Sequence, residues 1–255
     1  MTDETDVAAT TAGTDREGAV IDLAGVTFGY ASTPVVEDVS LTVEPGEYVA
    51  IVGPNGSGKT TLIRILVGDL AETSGSVAYE GPEADRPIGY LPQDPTFRPG
   101  FTAAETLSFY SSLVDGSEPE PLLKRVGLAA AADRNVEALS GGMRQLLGIA
   151  QATVGDPPLV VLDEPASGLD PNMSANVFQT AAEMAGAGTT VLLSSHDLTL
   201  VEETADSVIV LARGTVAASG TVEELRATFD VDSLRGVLNA VVEDTGQVAV
   251  VGGNR

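Results

Sequence analysis

The chain has 255 residues and carries 37 acidic against 13 basic side chains, a formal net charge of −24. This charge argues against non-specific nucleic-acid binding and against electrostatic attachment to anionic lipid, because both depend on basic groups close to phosphates. With 43% hydrophobic residues and no cysteine, the composition is that of a globular protein with a sizeable core and without disulfides or thiolate metal sites.

The first segment, residues 1–18, is rich in Thr, Ala, Asp and Glu and has no periodicity, which predicts a disordered acidic tail. Its start is acidic and polar, whereas a secretory signal would be basic and then apolar. No apolar run reaches the roughly 18 residues needed to span a bilayer. We therefore expect a cytoplasmic protein that does not insert into the membrane and reaches it only through a partner.

Short runs with β-type patterning begin at Val20: AVIDL, VTFGY, VVEDVSLTV and EYVAIVG predict strands, and the last leads into a glycine-rich loop. The next segment, TLIRILVGDL, has apolar residues at helical spacing, and GSVAYEG and IGYLPQD predict further strands. Within residues 94–156, the stretch from Thr102 to about Val154 is richer in helix formers and predicts helices in TAAETLSFYSSLV, PLLKRVGLAAAA and MRQLLGIAQATV. We interpret this stretch as a helical insertion in an α/β core.

Beyond the insertion, LVVLDEP and TTVLLSSHD are apolar enough to be buried parallel strands, with a helix in VFQTAAEMAG between them. DSVIVLARGTVAASG predicts a hairpin, and TVEELRATF predicts a helix whose N-cap Thr221 and third residue Glu224 form a capping box. Residues 230–255 contain a weak helix, SLRGVLNAVVED, and one possible strand, QVAVV, of unknown role. The pattern predicts an α/β fold with the main domain over residues 19–229.

Lysine is scarce in this chain, which contains only Lys59 and Lys124. A strongly acidic, lysine-poor surface suits a cytoplasm of high salt concentration, where screening weakens the repulsion between like charges. We therefore expect a halophilic source.

The segment GPNGSGKT follows a predicted strand and opens a predicted helix, which is the context expected of a phosphate-binding loop. Its glycines let backbone N–H groups turn towards one anion, and the helix N-terminus adds the positive end of its dipole. We expect Lys59 to reach the β- and γ-phosphates and the Thr60 hydroxyl to ligate Mg²⁺. The predicted nucleotide-binding residues here are Gly53, Pro54, Asn55, Gly56, Ser57, Gly58, Lys59, Thr60 and Thr61.

Two adjacent carboxylates, Asp163 and Glu164, stand at the end of the apolar run LVVLD. In open α/β sheets, ligands bind beyond the carboxyl ends of the strands. Two carboxylates at such a place would be costly to bury without a cation or proton transfer. We predict that Asp163 holds Mg²⁺ and that Glu164 is the general base for an attacking water molecule.

A second glycine-rich segment, LSGGM, precedes a predicted helix and lies upstream of the acidic strand. Glycines at a helix N-terminus form another anion cradle, to which Ser140 adds a hydroxyl. Two phosphate cradles in one chain make sense if the cradle of one subunit closes on nucleotide held by another. With its motifs in this order, the chain from about residue 20 to 229 resembles the ATP-binding subunit of ABC transporters.

The resemblance implies a P-loop NTPase (RecA-like) core with an antiparallel β subdomain and an inserted α-helical signature subdomain. It implies a head-to-tail dimer, expected to be a homodimer, that sandwiches two ATP molecules and hydrolyses ATP with Mg²⁺ to drive solute transport. The partner that carries the solute is a separate integral membrane permease subunit. The implied location is the inner face of the cell membrane, where the permease holds the chain.

Residue by residue, the resemblance assigns further roles. Tyr30 matches the aromatic residue that stacks on adenine, Gln93 matches the glutamine that contacts Mg²⁺ and water, and His196 matches the switch histidine. The expected catalytic residues are therefore Glu164, His196 and Gln93, and the expected metal ligands are Thr60, Gln93 and Asp163. The signature residues that meet the γ-phosphate of the opposite subunit are Ser140, Gly141 and Gly142. Those at the dimer seam are Ser167, Gly168, Leu169 and Asp170.

Two residues depart from the family pattern, because Met143 stands where glutamine is common and Leu146 where arginine is common. These changes remove an amide and a cation without touching the expected base or metal ligands, so we expect hydrolysis to persist, while the details of dimer closure stay open. In the loop QDPTFRPGF, Phe97 and Phe101 either line a groove for a permease helix or pack the insertion onto the core.

The segment TAAETLSFYSSL and the compact insertion resemble subunits that serve exporter-type permeases, including copper-linked ones, although an import system is also compatible with the sequence. A soluble ATPase of the same superfamily, such as an iron–sulfur cluster assembly partner, is the alternative of a different class. DNA-repair and chromosome-organising relatives require a long coiled coil, for which the stretch between Gln93 and Ser140 leaves no room.

Overall fold

Two β-sheets with helices packed around them form the computed structural model, which describes residues 19–31, 33–114 and 118–247. The predicted tail, residues 1–18, lies outside the described residues, as does all of the possible strand QVAVV except its first residue. That residue, Gln247, belongs to the last helix. The tail therefore stays a prediction, and so does the remainder of the strand.

The strands are short and alternate with helices over most of the chain. In chain order they are β1 (Ile21–Tyr30), β2 (Thr33–Val43), β3 (Tyr48–Val52), β4 (Ser74–Tyr79), β5 (Ile88–Leu91), β6 (Leu159–Asp163), β7 (Thr190–Ser194), β8 (Ser207–Ala212) and β9 (Thr215–Gly220). The α-helices are α1 (Lys59–Leu66), α2 (Ala103–Ser111), α3 (Pro119–Arg125), α4 (Gly141–Ala152), α5 (Pro171–Gly186), α6 (Leu198–Thr204), α7 (Val222–Phe229) and α8 (Leu234–Gln247). Most of the runs predicted as strands or helices are confirmed by these bounds.

The larger sheet has the order β5–β6–β7–β3–β8–β9 and is parallel except for its edge strand β9. The smaller sheet, β2–β1–β4, is antiparallel. Every residue of β3, β6 and β7 is buried, which explains why each is a nearly continuous apolar run in the sequence. The predicted α/β fold, with parallel strands at its centre and a separate antiparallel sheet, is confirmed.

Two segments differ locally from the prediction. AVIDL and VTFGY form one strand, β1, whose pairing is irregular around Gly25, where φ is 59°. The helix predicted over PLLKRVGLAAAA ends at Arg125, because Gly127 adopts a left-handed backbone (φ 74°) that terminates helices. Beyond this glycine, Ala129–Ala131 forms only a short 3₁₀ turn.

The helices α2, α3 and α4 pack against one another, and α4 also packs against β5. Their buried side chains, among them Leu107 and Leu147, belong to the same apolar cluster as Val160 of the parallel sheet. Within residues 19–31, 33–114 and 118–247, none of the helices combines the length and apolarity that a membrane span requires.

The end of the described chain is helical. Helix α6 was not predicted, because its seven residues bury only Leu198 and Val201 and are too few to show a period. The predicted capping box of α7 is confirmed, since the Thr221 hydroxyl accepts from the Glu224 N–H and the Glu224 carboxylate accepts from the Thr221 N–H. Helix α8 packs against α6, α7 and β8.

The turn between β8 and β9 ties the two sheets to the loop that precedes α1. The Gly214 N–H donates to the Ser57 carbonyl oxygen (2.9 Å), and the Gly214 carbonyl accepts from the Glu37 N–H of β2 (2.8 Å). Gly214 has φ of 83°, and a Cβ at this position would collide with the carbonyl oxygen of Val35. Both the left-handed backbone and the close approach to β2 therefore require glycine here.

We predict that Gly214→Ala destabilises the protein more than Gly68→Ala does. Both glycines have positive φ, but a Cβ at Gly68 would meet no atom within 4 Å. Left-handed backbone costs an alanine about 1–2 kcal/mol, so this loss is expected in both variants. The steric conflict at Gly214 adds about 1–3 kcal/mol. Urea unfolding of the two variants measures the difference, and equal losses would contradict the steric argument.

Candidate functional site

The loop between β3 and α1 has the geometry of an anion cradle. Gly56 and Gly58 have φ of 79° and 104°, and a Cβ at Gly58 would lie 2.8 Å from the carbonyl oxygen of Val35. Helix α1 begins directly after the loop, at Lys59. Because its N-cap is a glycine without a side chain to accept hydrogen bonds, the first N–H groups of the helix stay available to an anion.

Lys59 is buried between this loop and the end of β6. Its ammonium nitrogen donates to the carbonyl oxygens of Gly53 (3.0 Å) and Pro54 (3.5 Å) and lies 3.9 Å from Oε1 of Glu164. The Ser57 hydroxyl is also buried and has no hydrogen-bond partner among the residues that the structure describes. A buried cation and an unpaired hydroxyl beside a glycine-rich loop suit the binding of a phosphate group.

Asp163, the last residue of β6, is fully buried and receives two hydroxyl hydrogen bonds on one oxygen. Ser194 donates to Oδ1 at 2.6 Å and Thr60 donates to it at 3.3 Å. Burial raises the pKa of the Asp163 carboxyl, and the hydrogen bonds from Ser194 and Thr60 offset part of this rise. The other oxygen, Oδ2, has no hydrogen-bond partner in the described part of the chain. A buried carboxylate oxygen next to a hydroxyl is the kind of hard oxygen donor set that fits Mg²⁺.

Glu164 follows directly and has a left-handed backbone with φ of 49°. Its N–H donates to the Ser194 hydroxyl (2.9 Å) and also to the Ser194 carbonyl oxygen (3.2 Å). Its side chain is 11% exposed, and Oε2 lies 2.7 Å from Nδ1 of His196, whose ring is 66% exposed. A left-handed glutamate costs conformational energy, and the surrounding hydrogen bonds hold it in this position.

The phosphate loop, Lys59 and Glu164 border a cavity of about 420 Å³. Gln93, just beyond the end of β5, reaches the same cavity, so the structure brings three separate predicted motifs together. The residues that line it are Val35, Asn55, Gly56, Ser57, Gly58, Lys59, Thr60, Thr61, Gln93 and Glu164.

Tyr30 does not line this cavity. It stands at the end of β1 with half of its surface exposed, and its ring packs edge-to-face on Phe28 at a centroid distance of 5.0 Å. An exposed ring at a strand end is available for stacking, and its role in adenine binding stays a prediction.

The signature residues lie at the N-terminus of α4 and are likewise not part of the cavity lining. The Ser140 hydroxyl caps this helix by accepting from the Met143 N–H (3.2 Å). A Cβ at Gly142 would lie 2.9 Å from Leu169 and 2.8 Å from Met173. The first turn of α4 therefore packs closely against the segment from Ser167 to Asp170.

The two departures from the family pattern are neighbours in space. Leu146 is buried, and with the half-buried Met143 it lines a second cavity of about 400 Å³ next to Leu128 and Met173. The position at which arginine is common in the family is thus occupied here by an apolar side chain that joins the core.

Ser194, whose hydroxyl contacts both Asp163 and Glu164, is not among the site residues predicted from the sequence. The available signal was a polar residue at the carboxyl end of the apolar run TTVLLS, because ligands in such sheets bind at that edge. What the sequence could not show is that β7 lies directly beside β6.

Comparison with known proteins gives consistent matches. The family model described as ABC transporter matches residues 36–167. An uncharacterized ABC transporter ATP-binding protein of Bacillus subtilis is 37% identical over 210 residues, which cover 78% of this chain and 68% of that protein. A Nod factor export ATP-binding protein of Cupriavidus metallidurans is 33% identical over 220 residues, which cover 81% of this chain and 73% of that protein.

Solved structures agree with these matches. The ATP-binding subunit of an ABC transporter has a TM-score of 0.79 at 30% identity, covering 88% of this chain and 99% of that one. A dimeric ATP-binding cassette in a post-hydrolysis state, bound to ADP and Pi, has a TM-score of 0.71 at 25% identity, covering 79% and 98%. Together with the phosphate loop, the acidic strand end and the parallel sheet, these matches show that the chain belongs to the ABC transporter family as an ATP-binding subunit with ATPase activity.

Proposed function

We propose that the chain hydrolyses MgATP in a head-to-tail homodimer and drives an exporter-type integral membrane permease. The observation that carries this proposal is the cluster of Lys59, Asp163, Glu164 and His196 at one edge of the parallel sheet, next to a cavity that Lys59, Glu164 and the phosphate loop line. The ATPase unit is assigned to residues 19–229, with its helical insertion at 94–156. The packing of α8 on α6 and β8 supports a covering role for residues 230–247 of the extension.

The phosphate loop and Lys59 bind the phosphates. Backbone N–H groups at the start of α1 and the buried ammonium offset the negative charge of the β- and γ-phosphates. Thr60, Asp163 and Gln93 offer oxygen atoms that would hold Mg²⁺. With Mg²⁺ held there, its positive charge would offset the charge that develops on the phosphate.

Glu164 is the proposed general base. Its carboxylate lies between the Lys59 ammonium (3.9 Å) and the His196 ring (2.7 Å). It borders the cavity, where it is placed to accept a proton from the water that attacks the γ-phosphate in line. His196 orients this carboxylate and contacts the γ-phosphate.

The head-to-tail dimer explains the residues that lie away from the cavity. Ser140 and Gly141 are exposed at the N-terminus of α4, where they are accessible to nucleotide held by a second copy. Tyr30 stacks on adenine in the same sandwich. The dimeric state of the related cassette bound to ADP and Pi supports this arrangement.

We predict that Glu164→Gln traps an ATP-bound dimer. Without a base, turnover falls at least about 100-fold, while ATP still contacts both cradles and holds the dimer closed. Size-exclusion chromatography with MgATP and a phosphate-release assay measure the two effects. Glu183→Gln, at an exposed glutamate of α5, is the matched control and keeps wild-type behaviour. Normal turnover of Glu164→Gln would refute the assignment of the base.

The partner surface is assigned to an aromatic cluster formed by Phe101, just before α2, with Phe109 and Tyr110 of α2. Phe101 and Phe109 pack edge-to-face at 6.2 Å, Phe109 and Tyr110 at 5.4 Å, and Phe109 is 43% exposed. Phe97 and Tyr110 are partly buried and pack against the core cluster, whereas Phe101, which is also partly buried, contacts the exposed Phe109. Of the two interpretations of the loop aromatics, core packing therefore suits Phe97, and contact with a permease helix suits Phe101 together with Phe109.

Export is the proposed direction of transport, because one group of relatives is named for Nod factor export. Another relative is named for lantibiotic transport. In this arrangement the chain sits at the inner face of the membrane through its permease. The acidic, lysine-poor composition supports a halophilic source.

We predict that Phe109→Ala weakens association with the permease without changing the ATPase activity of the isolated chain. The tagged protein is purified from gently extracted membranes of its own host, and the co-purifying multi-span membrane protein is quantified. Its yield falls at least about fivefold, because truncating a buried aromatic interface anchor commonly costs 1 kcal/mol or more. Val242→Ala, equally exposed on α8, is the control.

Undiminished recovery with Phe109→Ala would exclude this surface as the permease contact. Recovery of a soluble assembly complex, with no membrane polypeptide, would refute the transporter role and favour the iron–sulfur alternative.

A further inference from the structure

One hydroxyl group, that of Ser194, contacts both acidic residues of the site. Ser194 ends β7 and is fully buried. Its hydroxyl donates to Oδ1 of Asp163 (2.6 Å) and accepts from the Glu164 N–H (2.9 Å). Since a serine hydroxyl has one donor hydrogen and two acceptor lone pairs, both hydrogen bonds form at the same time.

The first hydrogen bond fixes the orientation of the Asp163 carboxylate. Ser194 and Thr60 both occupy Oδ1, so the carboxylate cannot rotate freely. Oδ2 is left buried and without a hydrogen-bond partner among the described residues. This is the oxygen that stays available to a cation.

The second hydrogen bond acts on the backbone of Glu164. That residue has φ of 49°, a conformation that a glutamate adopts only when its surroundings hold it. In this conformation its carboxylate reaches towards Lys59 and His196. The same N–H also donates to the Ser194 carbonyl oxygen (3.2 Å), but its hydrogen bond to the hydroxyl is the shorter one (2.9 Å).

We propose that Ser194 is a positioning residue that sets the metal-facing oxygen of Asp163 and the backbone of Glu164 together. Its hydroxyl is buried and outside the cavity lining, so it acts through these two neighbours. The inference rests on the proposed roles of Asp163 and Glu164 in MgATP hydrolysis. Ser194 belongs to neither the phosphate loop nor the Asp163–Glu164 pair.

The adjacent Ser195 provides a matched control. It is also buried, but its hydroxyl accepts from the Asp197 N–H (3.0 Å), and no contact joins it to either carboxylate among the described residues. Ser194→Ala and Ser195→Ala therefore remove the same atom from neighbouring buried positions. Ser194→Thr keeps the hydroxyl and serves as the conservative variant.

The experiment compares these variants in steady-state ATPase kinetics and in Mn²⁺ binding, measured by electron paramagnetic resonance with a non-hydrolysable ATP analogue. For Ser194→Ala, kcat falls by about 10–100-fold and Mn²⁺ affinity falls by about 10-fold, the range typical of residues that orient a metal ligand. The KM for ATP changes less than about threefold, since the phosphate loop is untouched. Ser194→Thr restores both quantities, and Ser195→Ala leaves them at wild-type values.

Equal kcat and Mn²⁺ affinity in Ser194→Ala and Ser195→Ala would overturn the proposal, and so would equal losses in Ser194→Ala and Ser194→Thr. If Ser194→Ala melts below the assay temperature, Ser194→Cys replaces it in the same comparison. Asp163→Asn and Glu164→Gln are measured alongside. Retained turnover in these two would refute the proposed function, whereas their loss with an active Ser194→Ala would refute only the role of Ser194.

Discussion

The pairing of three buried parallel strands, β3, β6 and β7, is the constraint on which the site depends. Both faces of these strands are buried, and their side chains are therefore mostly apolar. The polar side chains of the site, Asp163 and Ser194, stand at the carboxyl ends of β6 and β7. Because the register places Ser194 beside Asp163 on one side and Ile51 on the other, the three ends lie at one edge. The phosphate loop, the acidic pair and the serine hydroxyl meet there as a direct result.

This edge contains backbone conformations that would be unfavourable elsewhere. Glu164 is left-handed, and Gly58 and Gly214 allow the phosphate loop to lie close against β2 and the β8–β9 turn. The surrounding sheet supplies the hydrogen bonds that hold these conformations. Preorganised groups of this kind need little rearrangement when charge develops on a phosphate, which is a main source of stabilisation in phosphoryl transfer.

A chain with a net charge of −24 must bind an anionic nucleotide against its own field. The full positive charge beside the phosphate loop is that of the buried Lys59, one of only two lysines in the sequence. Backbone N–H groups and the helix terminus supply the remaining attraction. These dipoles act at short range, so the surface can be strongly acidic without abolishing the site.

The sequence by itself determined the buried strands, the phosphate loop, the Asp163–Glu164 pair and the capping box of α7, because each depends on neighbouring residues or a local period. Only the tertiary structure decided which strands are adjacent, and this adjacency gives Ser194 its two contacts. The tertiary structure also decided that Gln93 lines the same cavity as the phosphate loop and that Phe97 packs against the core. The tertiary structure also decided the presence of α6, because its seven residues are too few to show a helical period in the sequence. It likewise decided the early end of α3, because the left-handed Gly127 terminates that helix despite the apolar pattern beyond it. Local chemistry is written in consecutive residues, whereas contacts between distant segments depend on how whole strands pack and in which register.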